Sequence, residues 1–409
     1  MKILVLNAGS SSQKSSLYEI QGDTLPEDPP QPLWEAQIDW THRGGYAELH
    51  VKTLQGATVQ ETFPSESRMA DTIAALQTLW SGPTQAIAHP QEIDIVGHRV
   101  VHGGQTYHQS TVINPEVKAA IAQLATFAPL HNPANLEGIA AVESLLGPDI
   151  PQIAVFDTAF HAHLPAAAAV YPGPYEWVEQ GIRRYGFHGI SHQYCAQRAA
   201  KILGCDLHAL RLITCHLGNG CSLAAIRNGQ CMDTTMGFTP LEGLMMGSRS
   251  GSIDPGILIH LLRQGDSTVN QLDYLLNHGS GLLGISGVSS DMRQIMTAIA
   301  QGNERAQLAF DIFIHRLRSQ IGAMLPSLGG LDALVFTAGI GEHAAAIRAQ
   351  ACEAFSFLGL ALDSAKNEST PIDADLATFE SKVRVLVIHT QEDWAIAQDC
   401  FVLRSSQVP

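Results

Sequence analysis

Lys14, a run of serines and a turn glycine are the first groups in this chain that could do chemistry together. The segment Asn7-Ala8-Gly9-Ser10-Ser11-Ser12-Gln13-Lys14 follows the apolar run Ile3-Leu4-Val5-Leu6 directly. Small residues in such a turn let backbone N–H groups point at an anion, serine hydroxyls add donors, and the lysine adds a full positive charge. That combination suits phosphate. By itself it reads equally as a strand ending in a polar hairpin, but a second copy shifts the balance. Leu212-Ile213-Thr214-Cys215 leads into His216-Leu217-Gly218-Asn219-Gly220-Cys221-Ser222, and Leu223-Ala224-Ala225-Ile226 returns through Asn228-Gly229, a tight-hairpin signal. Two half-sites could clamp one polyphosphate.

A third strand-then-glycine segment is Leu334-Val335-Phe336-Thr337-Ala338-Gly339-Ile340-Gly341-Glu342. Arg249 lies among small residues in Met245-Met246-Gly247-Ser248-Arg249-Ser250-Gly251, where alone it reads as a surface arginine paired with Asp254. Glycine-rich strand ends, isolated arginines and acidic residues at element ends are the parts of a phosphoryl-transfer site. That reaction needs donors on the phosphates, a divalent cation on oxygen ligands, and positive charge on the migrating group.

The elements that must hold these groups alternate between strand and helix, which marks an α/β fold. Ile93 through Val101 reads as a buried strand ending at Gly103-Gly104, with Arg99 and Val101 on one face and His98, Val100 and His102 on the other. Helical patterns cover 115–127 and 133–146, each opened by a proline, and Ile153-Ala154-Val155-Phe156 is a short strand ending at Asp157. Residues 292–328 carry apolar positions at helical spacing for one or two core helices. Residues 383–388 form a late strand. Thr390-Gln391-Glu392-Asp393 then resembles a capping box, with Glu392 in the first turn of a final helix. The Pro- and acid-rich stretch 22–32 is a solvated loop.

Several motifs are decoys. Gly279-Ser280-Gly281-Leu282-Leu283-Gly284 matches GxGxxG but follows a helical segment where a dinucleotide fingerprint needs a strand. Ser11-Ser12-Gln13-Lys14 matches SxxK without its SDN and KTG companions. His98/His102 and His188/His192 have i,i+4 spacing without the glutamate of HExxH, which argues against zinc.

With 409 residues the chain has room for two or three domains, and 45% hydrophobic against 15% charged residues describes an ordinary globular protein. A formal charge of −15, with no basic stripe, argues against nucleic acid and for small-molecule partners. Seven cysteines without a CxxC pair read as reduced thiols. Neither a signal peptide nor a run of the ~18 apolar residues that spans a bilayer is evident, so a cytoplasmic protein without membrane partners is expected.

The motifs together resemble the acetate kinase family, of the superfamily that includes sugar kinases, actin and heat-shock chaperone ATPases. The resemblance rests on 7–12, 97–104, Pro129-Leu130-His131-Asn132-Pro133, 156–161, Arg184-Tyr185-Gly186-Phe187-His188-Gly189, 216–220, 236–251 and 337–342, in this order and nearly end to end. It implies a duplicated two-domain actin-like (ribonuclease H-like) α/β fold, with the active site in the interdomain cleft and domains at 1–157 plus 393–409 and at 158–392. It implies transfer from ATP to acetate, dependent on Mg²⁺ or on Mn²⁺ in its place, by a homodimer.

Residue by residue, the resemblance makes Asn7 and Glu392 metal ligands. Ser10, Ser12, Lys14 and the run His216, Leu217, Gly218, Asn219 and Gly220 would contact nucleotide. Asp291, Met292 and Arg293, with Gly339, Ile340, Gly341, Glu342 and His343, would line the adenosine pocket. Arg99 would bind the substrate carboxylate, with Val101, Leu130 and Pro240 around the methyl group. Asp157 is the family's acid/base or metal-orienting residue. Acetate is already ionised at neutral pH and needs no general base, which favours the metal- or water-positioning role. His188 and Arg249 would neutralise the migrating phosphoryl group.

The chain departs from the family pattern at His343 (usually Asn), Met292 (often Phe), Ser252 (Asp) and Ile190 (Thr). The first two bear on nucleotide choice, and none touches Arg99, Asp157, His188 or Arg249. Two rival readings are a propionate or butyrate kinase, which differs only in pocket room, and a nucleotide-switched chaperone-like protein, which would not need two arginines and a histidine aimed at one group.

Overall fold

A computed structural model describes the chain apart from residues 10, 11, 42, 129, 130, 266, 370 and 406–409. The chain divides into two compact units, residues 1–159 with 391–409, and residues 160–390.

Among its described residues the first unit holds eight strands: β1 (Lys2–Ala8), β2 (Ser12–Glu19), β3 (Trp34–Asp39), β4 (Tyr46–Thr53), β5 (Thr58–Pro64), β6 (Ile95–Val100), β7 (Thr111–Val112) and β8 (Gln152–Phe156). Their order is β5-β4-β3-β2-β1-β6-β8-β7. β1 to β5 form an antiparallel meander, while β6 runs parallel to β1 and β8 parallel to β6. The parallel strands are near-continuous apolar runs because helices cover the sheet; β8 is buried at all five positions. Edge strand β5, TVQETFP, is mostly exposed and carries polar residues that discourage further pairing.

The helices Asn132–Leu146 and Glu392–Ser405 both pack on β1 and β6. Gly97 makes the second approach possible. A Cβ there would sit 2.6 Å from both Ile396 Cγ2 and Cys400 Sγ, so any side chain would push the final helix off the sheet.

The second unit holds β9 (Arg211–Leu217), β10 (Cys221–Arg227), β11 (Gln230–Thr234), β12 (Ala333–Thr337), β13 (Ala374–Asp375) and β14 (Arg384–Val387), in the order β11-β10-β9-β12-β14-β13. The directions repeat those of β3-β2-β1-β6-β8-β7: an antiparallel three-strand meander, two strands parallel to its first member, then an antiparallel edge. The duplication is therefore written in the connectivity. Asn228 and Gly229 take positive φ (55° and 71°) in the β10–β11 hairpin, as its sequence signal requires. Two core helices fill the 292–328 stretch, Met292–Ala300 and Glu304–Leu328, the second burying Phe310, Phe313, Leu317, Ile321 and Met324.

Two expectations need correction. β6 ends at Val100, so alternation places Arg99 on the Gly97 face but does not extend to Val101, which lies in the bend beyond. Among the described residues no capping-box bond opens the last helix: Thr390 Oγ1 donates to Ser191 Oγ (3.0 Å), and Asp393 accepts bonds from Asn7 and Ser16. Among the described residues no helix is long and apolar enough to cross a membrane.

Candidate active site

In the first unit the expected residues gather where β1, β6 and β8 end. Arg99 is one residue from the end of β6, and Asp157 follows β8, its N–H bonding Val100 O at 2.9 Å. This register brings Arg99 Nη2 to 2.7 Å from Asp157 Oδ2, with Asp157 1% and the Arg99 side chain 15% exposed. Burial opposes the arginine's charge, but Asp157, Glu392 and Asp393 outweigh it and hold its pKa above the ordinary value. Arg99 Nε is buried with no hydrogen-bond partner. Asp157 thus occupies one edge of the guanidinium and leaves a donor unsatisfied, as a carboxylate site needs.

Glycine at 97 lets the final helix deliver Glu392 and Asp393 to the same place. Asn7 Nδ2 donates to Asp393 Oδ1 (2.9 Å) and Glu392 Oε2 (3.3 Å), and Ser16 Oγ donates to Asp393 Oδ2 (3.0 Å). With its amide nitrogen so engaged, Asn7 keeps its carbonyl oxygen as a hard ligand. Burial pushes the Asp393 carboxyl above its usual pKa, and the Glu392 charge adds to the push against the bonds from Asn7 and Ser16. Crowded carboxylates beside an amide oxygen fit a divalent cation, which would relieve that repulsion. Exposed Lys14 pairs with Asn7 in the β1–β2 register and so shares its face. Ser12 carries the turn, its carbonyl accepting from Gly9 N at 2.8 Å. Ser10 and Leu130 lie outside the described residues.

Val101 is buried, and its N–H is held by Asn135 Oδ1 (3.1 Å), whose amide in turn reaches Ala8 O (3.2 Å). Asn132 brackets His102 in the same way, accepting from its N–H and donating to its carbonyl, both at 3.2 Å. The first turn of the helix Asn132–Leu146 thus ties together the ends of β1 and β6.

In the second unit His188, Arg249, Asn219, Gly220 and Pro240 come together. A Cβ on Gly220 would lie 3.4 Å from His188 Nε2 and 3.5 Å from Arg249 Nη1, so the two groups flank one small space. Arg249 Nη1 also bonds Pro240 O at 3.3 Å. His188 has the left-handed φ of 57° at the start of the helix Gly189–Leu203, a strained conformation for a residue with a Cβ. Its ring stacks on His216 (centroids 4.1 Å apart), and Leu217 behind that loop is fully buried. Gly218 closes the turn through Gly220 O at 3.0 Å.

The GxGxxG segment also has a use. Its residues Ser280, Leu282 and Leu283 donate backbone bonds to Ser248, Met246 and Gly247 (each 2.9 Å), clamping the loop that carries Arg249.

Of the expected adenosine-lining residues, Asp291 caps the helix Met292–Ala300 through Arg293 N (2.9 Å) and pairs with the mostly exposed Arg293 guanidinium (2.6 Å). Met292 is packed inside, 4% exposed. Gly339 and His343 are exposed and Ile340 is half-buried, on the short helix Ala338–His343. The Glu342 carboxylate turns to His389 Nδ1 (2.6 Å) and Thr390 N (3.3 Å); burial opposes its charge, but these bonds hold its pKa below the usual value.

Sequence reasoning missed Asp393 and Arg348. Arg348 is wholly buried and donates to the carbonyls of Gly341 (2.9 Å) and Glu342 (2.7 Å) and to Asn367. An arginine within AAIRAQACE gave no sign of this, whereas an Asp directly after Glu392 was at least open to view.

A family model described as the Acetokinase family matches residues 2–398. An acetate kinase of Gloeobacter violaceus is 68% identical over 401 residues, covering 98% of this chain and 99% of that protein. One from a Nostoc species is 66% identical over 403 residues, with 98% and 99% covered. Among solved structures, a Porphyromonas gingivalis acetate kinase superposes with TM-score 0.89 at 41% identity over 98% of this chain and 99% of that one. A propionate kinase of Francisella tularensis gives 0.87 at 38% over 97% and 98%. These likenesses bear out the actin-like α/β fold expected from the sequence.

Proposed function

Because this chain belongs to the acetokinase family, we propose that it transfers the γ-phosphoryl group of ATP to acetate, reversibly and in line, giving acetyl phosphate and ADP. The observation that carries the residue assignments is Arg99: a buried guanidinium locked on one edge by Asp157, with Nε unsatisfied. A small carboxylate can satisfy it. Acetate arrives ionised, so the site must orient and desolvate a nucleophile rather than deprotonate one. Asp157 orients Arg99, a task added to the metal- or water-positioning role expected for it. Lys14, Ser10, Ser12 and the 216–220 turn bind the phosphates of the nucleotide, and 291–293 with 339–343 line its adenosine. Arg249 and His188 neutralise the migrating group; each such donor is typically worth ~3 kcal/mol. Asn7 and Glu392, with Asp393 beside them, would hold Mg²⁺ or Mn²⁺, which would supply positive charge against the phosphates.

The resemblance expects Val101, Leu130 and Pro240 around the methyl group. The likeness to a propionate kinase favours propionate as a second substrate, because a pocket discriminates one methylene by only ~1 to 3 kcal/mol. A homodimer is supported by the helix Pro255–Gln264, which buries none of its residues and exposes Ile257, Ile259 and Leu262, next to exposed Val269, Tyr274 and Leu275. Seven cysteines, none of them in a disulfide among the described residues, fit the reducing cytoplasm.

Hydroxamate formation from acetate, ATP and hydroxylamine, with Mg²⁺ or Mn²⁺ supplied, tests the reading. Acetyl hydroxamate with stoichiometric ADP is expected. ATP binding without hydroxamate would favour a nucleotide-switched protein instead. Light scattering should give the mass of two chains.

A further inference from the structure

Behind His188 runs a buried chain of polar groups that the reaction so far leaves unused. Ser222 Oγ lies 2.8 Å from His188 Nδ1 and 2.8 Å from His192 Nε2, and His192 Nδ1 lies 2.7 Å from Thr214 Oγ1. Ser222, His192 and Thr214 are all 0% exposed. One hydroxyl proton cannot serve two imidazoles, so the chain must have a direction. Burial, aided by His161 and His216, pushes the His192 pKa well below its ordinary value, so His192 is neutral and carries a single N–H.

Two directions satisfy the bonds. In one, Thr214 donates to His192 Nδ1, His192 Nε2–H donates to Ser222, and Ser222 donates to His188 Nδ1; the His188 proton then sits on Nε2. In the other, every donor reverses. His188 then carries its proton on Nδ1 and turns a bare lone pair at Nε2 toward the Gly220 space, or becomes an imidazolium. A lone pair there repels phosphate oxygens. An imidazolium would stand against Arg249 across Gly220 and in face contact with His216, where like charge and burial both disfavour it. His216 shows the first pattern independently: Thr390 donates to Ser191 (3.0 Å), and Ser191 lies 2.8 Å from His216 Nδ1. Both stacked rings are thus held at Nδ1 by a serine, with Nε2 on the side of the glycine turn.

We propose that Ser222, itself oriented by His192 and Thr214, is a positioning residue that locks His188 as its neutral Nε2–H tautomer, so that an N–H donor faces the transferred phosphoryl group. This rests on the assignment of His188 to that group. The arrangement gives Arg249 the charge and His188 a directed, uncharged donor, and it explains why the loop beside them carries glycine.

Two-bond ¹⁵N–¹H spectra of the histidine-labelled enzyme, with steady-state kinetics, test it. In the wild type His188 should appear as the Nε2–H tautomer at neutral pH. Ser222→Ala should mix the tautomers and lower kcat about tenfold or more, while KM for acetate and ATP stays within about twofold. Ser222→Cys, whose thiol is a weak donor, should fall between them. Thr214→Val keeps Ser222 and should cost about threefold in kcat, so it decides the matter, with the wild-type spectrum, if Ser222→Ala does not fold. An Nδ1–H or doubly protonated His188 in the wild type, or an unchanged tautomer and kcat in Ser222→Ala, overturns the proposal. Unchanged turnover in His188→Ala would instead remove the assignment on which it rests.

Discussion

The first hairpins of the two sheets occupy the same place in one repeated connectivity, yet they end in different chemistry. Two residues from the β1–β2 turn, Asn7 stands opposite Lys14; at the equivalent position of β9–β10, His216 stands opposite Ser222. Around the first pair the chain collects full charges: Arg99, Asp157, Glu392 and Asp393. Around the second it collects imidazoles joined by hydroxyls, with Arg249 as the nearby charge. A buried charge held by a partner leaves a large penalty behind when that partner is lost, whereas a neutral hydrogen bond leaves a smaller one. The first unit should therefore show its mutations in binding and stability together, and the second chiefly in turnover.

The widest separation is expected between the two arginines. Arg249→Ala should lower kcat/KM by more than about 100-fold with little change in a urea melt. Arg99→Ala should lose as much kcat/KM, largely through KM for acetate, and also about 3–5 kcal/mol of stability, because the buried Asp157 loses its arginine partner. Equal stability losses in the two variants would erase the contrast.

Two glycines sharpen it further. Gly97→Ala drives a methyl into Ile396 and Cys400 at 2.6 Å and should destabilise the first unit by about 1–3 kcal/mol while raising the metal concentration needed for activity. Gly220→Ala meets its neighbours only at 3.4 Å or more, so it should melt like the wild type yet turn over about tenfold more slowly, its methyl filling the space between His188 and Arg249.

Acid separates stability from chemistry. Burial pushes His98 and His102 down to about 4 from 6.5, the Gln152 bond to His98 only partly opposing it. The unfolded chain takes up their protons below pH ~6.5 and the folded chain does not, so stability declines from there toward pH 4. The loss is on the order of 2 kcal/mol per ring at pH 5. Urea melts at pH 7 and 5 should show this, and His98→Gln should flatten the slope.

The smallest expected change is at Val101. Removing its methyl groups should raise the propionate to acetate ratio of kcat/KM by about tenfold or less. An unchanged ratio would take Val101 out of the acyl pocket.

Much of this was legible because strand ends advertise themselves. An apolar run stopping at glycine and serine marked β1, β9 and β12, and period-two alternation put Arg99 on the side where the final helix lands. Alternation failed two residues later, at Val101, because Val100 is the last residue whose pairing β8 enforces. The final helix was foreseen but its cap was not: the bonds that occupy Thr390, Asp393 and Ser16 link segments hundreds of residues apart. Arg348 and Ser222 were hidden although their partners are nearer in sequence, 6 to 19 residues away for Arg348 and 30 to 34 for Ser222. Their partners are backbone carbonyls, an amide and buried rings that only folding brings near; Arg348 sits in no local pattern that announces it, and the strand-turn pattern containing Ser222 pointed to phosphate rather than to histidine.

The bond between Asn7 and Glu392 spans 385 residues of sequence. A nascent chain leaving the ribosome must hold its first strands, with the Gly97 groove uncovered, until nearly everything else has been made. A product shortened ahead of that last helix would keep every arginine named above, yet bare the β1 and β6 face that the helix covers and lack the carboxylates proposed to complete the cation seat, so an interrupted translation is expected to yield a silent protein rather than a leaky one.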